Sequence, residues 1–349
     1  MRRNHPLNRL ICQVLAASAL SFGATAQVIK PMPTGEMILN LKKLNVLGSA
    51  MYIAAHPDDE NTIMLSWLAK ERKVRTSYLS ITRGDGGQNL IGPEQGIELG
   101  MIRTKELLAA REIDGAEQYF TSAYEFGFSK SMDEALQVWD RIKVLADAVW
   151  VIRNYKPDVI IARFPPDARA GHGHHSASAQ IAREAFAAAS DPNQFPEQLS
   201  NGVTVWQAKR LLWNTFNFGG ANTTSNDQFK MDVGVYNALE GKSYGELGGE
   251  ARSMHKSQGE GRPRRKGEIL EYFTTIVGEA PTSNLLDGVS TDWTRLGQNG
   301  ASIASAIDAV IVSYNPLQPA LSLPALVKIY GQVKELPASV WRSHKLNTL

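Results

Sequence analysis

The chain has 349 residues, of which 43% are hydrophobic and 21% charged, a composition typical of a folded globular protein. This length is sufficient for one large domain or two small domains with a sizeable core. The formal net charge of +2 arises in residues 1–26, because the rest of the chain has 34 Lys+Arg against 35 Asp+Glu. A net charge of −1 over that remainder gives no support for a nucleic-acid partner or for binding to an anionic membrane.

Residues 1–26 are predicted to be a secretory signal peptide. Three arginines precede an apolar stretch over residues 10–22, and Ala24-Thr25-Ala26 supplies small residues at a cleavage site. Such a stretch is short for a bilayer span, so we expect no stable membrane anchor after cleavage; an uncleaved anchor is the alternative. The single cysteine, Cys12, lies in this segment. We therefore expect a periplasmic or extracellular protein without disulfides or thiolate metal ligands.

Residues 27–44 are predicted to form an extended lead-in with one short helix, Glu36 to Leu44. The apolar run that follows ends at His56-Pro57-Asp58-Asp59-Glu60 and precedes a helix-like pattern, which indicates a buried strand that feeds a helix. His56 would then lie at the carboxyl end of a strand, where open α/β sheets bind their ligands. Proline and acidic residues also suit an ordinary helix start, but that explanation does not account for His56.

A second strand, Val74 to Thr82, is predicted to end at the glycine-rich turn Arg83 to Asn89. This turn either shapes a substrate pocket or is a connection without chemistry. A helix is predicted over Ile97 to Glu112, in which Arg103 and Glu106 share a face as a surface ion pair or as groups that project towards a substrate.

A single long amphipathic helix is predicted between Ser131 and Tyr155, followed by the apolar strand Val159 to Ala162. The alternation of strands and helices indicates an α/β fold with a Rossmann-like, mainly parallel sheet and helices on both faces. A helix that starts after His175 is expected to run to about Ala189.

The segment before that helix contains His172, His174 and His175, three of the seven histidines in the chain. A histidine-rich tract alone is compatible with an accidental cluster or with a surface metal scavenger. Here the tract follows a predicted strand, as His56 does, so both groups should meet at the carboxyl edge of one sheet. Imidazoles beside carboxylates are typical of a metal site or an acid/base site.

Later in the chain, strands are predicted at Leu211 to Asn214 and Phe229 to Val233, and a helix at Tyr244 to Ser257. His255 would either stabilise the end of this helix or reach the pocket. Residues 281–349 are predicted to contain two helices, and they form a small helical extension or the start of a further domain.

The motif His56-Pro57-Asp58-Asp59-Glu60, joined to the later His172-x-x-His175, resembles the LmbE-like or PIG-L family of zinc-dependent N-deacetylases. This family includes enzymes that remove acetyl groups from N-acetylglucosaminyl conjugates. The resemblance spans roughly residues 45–260 and implies a deacetylase domain over residues 45–280. It also covers the turn Thr82 to Asn89, Arg103, Glu106 and the segment His255-Lys256-Ser257-Gln258.

By this resemblance, the metal ligands are His56, Asp59 and His175. Asp58 is implied as the general base, and His172 as an assisting acid. The implied cofactor is Zn²⁺, although the same ligands also suit another divalent ion such as Fe²⁺. Substrate contacts are expected from Arg83, Asp85, Asn89, Arg103, His174 and His255. The chain departs from the family at His174, where an acidic residue that would orient His172 is common.

We therefore predict an exported metal-dependent hydrolase that uses activated water to remove an N-acyl group, expected to be N-acetyl, from an amino-sugar substrate. The substrate would be a small molecule or a glycan, and the oligomeric state is left open. Two alternatives remain. A two-His, one-carboxylate ferrous oxygenase would use the same ligands, and a glycan-binding protein could retain a vestigial metal site.

Overall fold

Apolar segments of the chain assemble into one central sheet in the computed structural model, which describes residues 32–218, 220–261, 263–298 and 300–349. The predicted signal peptide and Cys12 lie outside these residues. The strands are β1 (Ser49–Ala54), β2 (Arg75–Ser80), β3 (Glu117–Phe120), β4 (Val159–Ala162), β5 (Arg210–Thr215), β6 (Asn217–Phe218), β7 (Ala221–Asn222), β8 (Phe229–Asp232), β9 (Tyr236–Asn237), β10 (Lys242–Ser243) and β11 (Leu270–Gly278).

The main sheet has the strand order β3-β2-β1-β4-β5-β11-β8. Strands β1 to β5 pair with one another in parallel, whereas β11 is antiparallel to both β5 and β8. The chain builds outward from β1 to one side and then crosses back to place β4 on its other side. The carboxyl ends of β1 and β4 therefore flank a topological switch point, where open α/β sheets form their binding crevices. The prediction of a mainly parallel α/β sheet is confirmed.

Helices cover both faces of this sheet. Alternate residues of β1 contribute to two separate cores, with Tyr52 in one and Met51 and Ile53 in the other. Because successive side chains point to opposite faces and both faces are covered, β1 is fully buried and is apolar from Ala50 to Ala54. The helices are α1 (Thr34–Lys43), α2 (Thr62–Ser66), α3 (Ile97–Asp114), α4 (Met132–Val138), α5 (Arg141–Tyr155), α6 (Gly173–Ala188), α7 (Pro196–Ser200), α8 (Tyr244–Arg252), α9 (Gly300–Ser313), α10 (Leu323–Lys334) and α11 (Val340–Thr348).

The prediction of one continuous helix between Ser131 and Tyr155 is wrong, because the chain breaks into α4 and α5 at Trp139 and Asp140. Asp140 has a left-handed backbone, with φ of 59°, and its carboxylate accepts a hydrogen bond from the backbone N–H of Lys143. The apolar spacing continues across the break, so periodicity alone could not reveal it. The break leaves Trp139 buried, at 3% exposure.

The predicted helix Tyr244 to Ser257 also stops early, at Arg252. A separate 3₁₀ turn, Lys256–Gln258, follows it, and His255 lies immediately before this turn. His255 is therefore outside the helix, and its predicted role as a stabiliser of the helix end does not apply.

Helices α9, α10 and α11 share a third core with α1 and with Trp293. Lys345 of α11 donates hydrogen bonds to the carbonyl oxygens of Lys43 (2.8 Å) and Val46 (2.7 Å). Burial lowers the pKa of this lysine to about 7. The C-terminal helices are thus packed against the lead-in helix, while the predicted boundaries at residues 44 and 280 stay predictions.

Across the described parts of the chain, none of the helices has the combined length and apolar character that crossing a bilayer requires.

Candidate active site

The loop that leaves β1 carries the first half of the site. The backbone N–H of His56 donates to Oδ2 of Asp59 at 2.7 Å, and the hydroxyl of Tyr78 donates to the carbonyl of His56 at 2.5 Å. Asp58 has φ of 91°, a backbone conformation that is strained for any residue with a Cβ. Its N–H is held by Oε2 of Glu60 at 2.8 Å. The turn is therefore fixed at both ends of the Asp58-Asp59 pair.

The second half of the site lies at the start of α6. The N–H of Gly173 donates to the carbonyl of Ser129 at 2.9 Å. A Cβ at Gly173 would lie 2.1 Å from the carbonyl oxygen of Ser131, so only glycine allows this close approach. His172 is the N-cap residue, and His175 lies in the first helical turn.

The two halves meet at the carboxylate of Asp59. Its Oδ2 lies 3.0 Å from Nδ1 of His56, and its Oδ1 lies 3.2 Å from Nε2 of His175. The other ring nitrogen of His175 lies 2.8 Å from the carbonyl of Ala170, and Phe164 stacks on the same ring at 3.8 Å. The structure thus brings the three predicted metal ligands together. Whether they bind a metal stays a prediction.

Electrostatics support an ionised carboxylate at Asp59. Burial tends to raise the pKa of Asp59, but His175 and His56 hold it well below its usual range. His172 lies with its ring 3.8 Å from that of His175. Burial, reinforced by His175 and His56, lowers the pKa of His172 to about 3, so this imidazole is neutral at neutral pH. Nitrogen atoms of His56, His172 and His175 also lie within 4.8 Å of one another.

Asp58 lies beside this group and contacts Arg103, whose Nη2 is 3.3 Å from Oδ1 of the carboxylate. Burial raises the pKa of Asp58, and Arg103 opposes that shift. The side chain retains 22% exposure. It is therefore accessible and more basic than an ordinary aspartate, as a general base requires.

Arg103 connects loops on both sides of the site. Its guanidinium donates to the carbonyls of Gly84 (3.0 Å) and Pro57 (2.6 Å), and it lies 3.7 Å from the carboxylate of Glu125. Only 3% of the arginine side chain is exposed. Arg103 thus links the β1 loop, the glycine-rich turn and the segment that contains Glu125. Its predicted contact with substrate stays untested.

Three further predicted contact residues lie in the glycine-rich turn and make hydrogen bonds to other residues of the protein. Arg83 donates to Thr104 at 3.1 Å, Asp85 accepts the N–H of Glu125 at 3.0 Å, and Asn89 donates to the carbonyl of Glu94 at 3.2 Å. Arg83 is exposed, and the other two are partly exposed. Their role in substrate binding stays a prediction.

His174 and His255 differ from this group, because neither has any exposed surface. Nδ1 of His174 lies 3.1 Å from Nε2 of His56. Nε2 of His255 lies 2.7 Å from Oε1 of Glu60, which also accepts from Arg111 at 3.1 Å. Both histidines contact residues of the β1 loop from its buried side. Their complete burial gives no support for direct substrate contact, and their role in substrate binding stays a prediction.

Glu125 had no sequence signal, because it lies in an irregular segment between β3 and α4 without a motif around it. Its carboxylate is buried, at 8% exposure, and it groups with His56 and His174, with ligand atoms within 4.8 Å. Burial raises its pKa, while His56 and Arg103 lower it. Only the fold brings this carboxylate to the back of the site.

Two solved structures resemble this fold at low sequence identity. The N,N'-diacetylchitobiose deacetylase from Pyrococcus horikoshii is 18% identical with a TM-score of 0.45, and the match covers 74% of this chain and 82% of that one. The 4-carboxy-2-hydroxymuconate hydratase GalB from Pseudomonas putida is 16% identical with a TM-score of 0.46, covering 68% and 99%. The two names denote different reactions, so this likeness does not define the chemistry.

A curated relative from Frankia casuarinae, 1D-myo-inositol 2-acetamido-2-deoxy-alpha-D-glucopyranoside deacetylase 2, is 30% identical over 183 residues. The match covers 46% of this chain and 56% of the length of that relative. The family profile described as PIG-L: GlcNAc-PI de-N-acetylase matches residues 51–186. This interval begins within β1 and ends within α6, so it includes both halves of the site. The family match is thus to a PIG-L (LmbE-like) domain over residues 51–186 of this chain.

Proposed function

We propose that this protein is a metal-dependent N-deacetylase that acts on an N-acetylated amino-sugar substrate. The observation that carries the proposal is the meeting of His56 and Asp59, in the loop after β1, with His175 at the start of α6, and Asp58 lies beside them. The family description and the Frankia relative, both named for removal of an acetyl group from a glucosamine derivative, support the choice of substrate class.

The side chains fit a zinc-type ion. Two imidazoles and one carboxylate are the nitrogen and oxygen donors of many hydrolytic zinc sites. The short contact from Nδ1 of His175 to the carbonyl of Ala170 favours a proton on that nitrogen, which leaves Nε2 unprotonated as a ligand. When bound by His56, Asp59 and His175, Zn²⁺ or another divalent ion would supply a water of lowered pKa and a Lewis acid for the amide carbonyl.

Asp58 is the proposed proton carrier. Its carboxylate accepts a proton from the attacking water as a C–O bond forms at the carbonyl carbon. When the C–N bond breaks, the same proton passes to the departing nitrogen, so acetate and a free amine are released. The raised pKa of Asp58 makes it a better acceptor, and Arg103 restricts its orientation.

His172 is proposed to bind the acyl oxygen of the substrate. It is only partly buried and lies against His175, on the open side of the group. A neutral imidazole can donate a hydrogen bond to an oxygen that gains negative charge in the transition state. The predicted role of His172 as an acid stays a prediction, since its pKa of about 3 does not favour a protonated ring at neutral pH.

The direct test measures bound metal by elemental analysis and the release of acetate and free amine from N-acetylglucosaminyl compounds. We expect about one zinc per chain and release that a chelator abolishes and added zinc restores. Bound metal without acetate release would contradict the deacetylase proposal. Oxygen consumption that depends on a keto acid would then favour the ferrous oxygenase. A chain that binds no metal would contradict the site itself.

We also propose that residues 1–26 direct export to the periplasm or beyond. The proposal depends on the three arginines, the apolar stretch and the small residues Ala24 to Ala26. Fusion of residues 1–40 to a reporter that is active only after export should give activity. A matched fusion with the apolar stretch interrupted by charges should not.

A further inference from the structure

His174 occupies an enclosed pocket behind the site. Its ring stacks on Trp139, with ring centres 4.8 Å apart, and it meets the edge of Phe126 at 4.5 Å. Trp139 lies at the break between α4 and α5. The imidazole has no exposed surface. Two aromatic rings thus fix both the position and the plane of an imidazole that no substrate can reach.

The polar contact that His174 makes is to a proposed metal ligand. Its Nδ1 lies 3.1 Å from Nε2 of His56, while its Nε2 has no hydrogen-bond partner within the described residues. The ring centres of His174 and His172 are 5.5 Å apart in an edge-on arrangement. In the related family, an acidic residue at the position of His174 would orient His172. Here His174 bonds to His56 instead, so it does not orient His172 in that way.

The directions of these contacts determine where protons belong. Nδ1 of His56 faces Asp59 on the side of the proposed metal, so it must be unprotonated to bind an ion. A neutral imidazole carries one ring proton, which then lies on Nε2 of His56 and points at His174. Two unprotonated nitrogens or two N–H groups at 3.1 Å would repel each other. Nδ1 of His174 must therefore be the acceptor.

We propose that His174 is a positioning residue that holds His56 in the tautomer and orientation needed to bind the metal. The inference depends on the metal site of the proposed function but not on the reaction that follows. Partners of this kind are usually carboxylates or backbone carbonyls, and their loss typically weakens metal affinity by about 10–100-fold. Here an imidazole clamped between Trp139 and Phe126 takes that place.

A neighbouring carboxylate strengthens the arrangement. Glu125 lies within 4.8 Å of His56 and His174, and its Oε2 accepts no hydrogen bond from the described residues. A carboxylate at this position interacts favourably with ring N–H groups of His56 and His174 that point towards it, and unfavourably with ring nitrogens that present a lone pair to it. The competing explanation is that His174 is an ordinary core residue. That explanation predicts a change in stability without a specific change in metal affinity.

The test compares zinc affinity in three variants of the full mature protein, using competition with a chromophoric chelator. His174→Asn places an amide oxygen close to the position of Nδ1 and keeps an acceptor. His174→Leu removes the acceptor at similar volume. Phe126→Leu disturbs the same pocket and leaves the acceptor intact. Thermal unfolding of the metal-free proteins measures the structural cost of each change separately.

We expect the Leu variant to bind zinc about 10–100-fold more weakly, while the Asn and Phe126 variants stay within about 3-fold of the parent. Equal affinity in all four proteins would overturn the inference, as would equal losses in the Asn and Leu variants. If the Leu variant does not fold, His174→Ala replaces it. Nitrogen NMR of the zinc-loaded parent protein tests the tautomer of His56 independently of affinity. A proton on Nε2 of His56 supports the inference, and the absence of that proton contradicts it.

These results are separable from the proposed reaction. Zinc affinity that follows the expected order without any acetate release would retain the role of His174 and reject the deacetylase proposal. Chelator-sensitive acetate release with unchanged zinc affinity in every variant would support the deacetylase proposal and reject the role of His174.

Discussion

Two histidine–carboxylate clusters flank Asp58, and they differ in what their polar atoms face. The open cluster consists of His56, Asp59, His172 and His175. The closed cluster consists of Glu60, Arg111, Asp114 and His255. Asp59 and His175 retain 11% and 18% side-chain exposure, whereas Glu60 and His255 have none. Both clusters contain an imidazole within 3.0 Å of a carboxylate, so composition and distance alone do not separate them.

The difference lies in how the polar groups are satisfied. In the closed cluster, Glu60 accepts from Arg111, His255 and the N–H of Asp58, and Asp114 completes the pairing of Arg111. This cluster therefore stabilises the strained backbone of the β1 loop. In the open cluster, one carboxylate faces two imidazoles at a surface opening, which leaves donors free for an ion. A buried cluster whose carboxylates are all paired indicates structure, and a partly open one indicates chemistry.

The largest expected effect is the loss of a ligand from the open cluster. His175→Ala should abolish stoichiometric zinc binding and lower acetate release by about 10³-fold or more, because metal-based stabilisation of the transition state is worth several kcal/mol. Metal analysis and the acetate assay measure this. His344→Ala, a histidine in α11 far from both clusters, is the control and should change neither. If the His175 variant retained its metal, the open cluster could no longer be distinguished from the closed cluster as the metal site.

The next effect separates the proposed base from the ligands. Asp58→Asn should retain about one zinc per chain and lower kcat by about 10²–10⁴-fold, because the amide cannot accept the proton. Steady-state kinetics with metal analysis measure both quantities. Asp133→Asn, an exposed carboxylate in α4, is the matched control. Full turnover by the Asp58 variant would refute the role of this residue.

For the closed cluster we expect a loss of stability. Glu60→Ala removes the carboxylate that pairs with the buried His255 and one of the two that pair with the buried Arg111, which should lower the free energy of unfolding by about 3–5 kcal/mol. His172→Ala in the open cluster should cost about 1 kcal/mol, since its ring is partly exposed. Denaturant unfolding of the metal-free proteins measures both. Similar losses in the two variants would show that the closed cluster has no special structural role.

The last prediction concerns the pH dependence of stability. Burial alone would raise the pKa of Glu60, but His255 and Arg111 lower it to about 2. A depressed pKa in the folded state means that the contribution of Glu60 is complete above about pH 4.5 and is lost as the pH falls towards 2. The difference is on the order of 3 kcal/mol. The stability gap between the parent and Glu60→Gln should therefore narrow on acidification, as measured by unfolding between pH 7 and pH 3. A constant gap would contradict this.

Most of the fold was accessible from local patterns. The apolar run of β1, the strand before the second histidine group and the helix starting at Ile97 were all predicted, because burial on both faces or on one stripe leaves a readable period. The break at Trp139 and the end of α8 at Arg252 were missed. Both depend on a single backbone turn that leaves the apolar spacing unchanged.

The site divides in a similar way. The proposed ligand and base residues belong to two short motifs, each after a predicted strand, so their convergence followed from the parallel sheet. The roles of His174 and His255 could not be predicted, because burial depends on which distant segments cover a residue. Glu125 and Arg111 carried no motif. Their importance arises from contacts with loops far away in the chain.

The sequence by itself determined the sheet, the residue types of the open cluster and the edge where they meet, because these depend on periodicity and on strand ends. Only the tertiary structure decided which polar residues are open and which are enclosed. That distinction depends on solvent access and on the pairing of each donor and acceptor, which are properties of packed segments and not of local sequence. His56 and His255 each stand beside a carboxylate, and packing alone makes one a proposed ligand and the other a support.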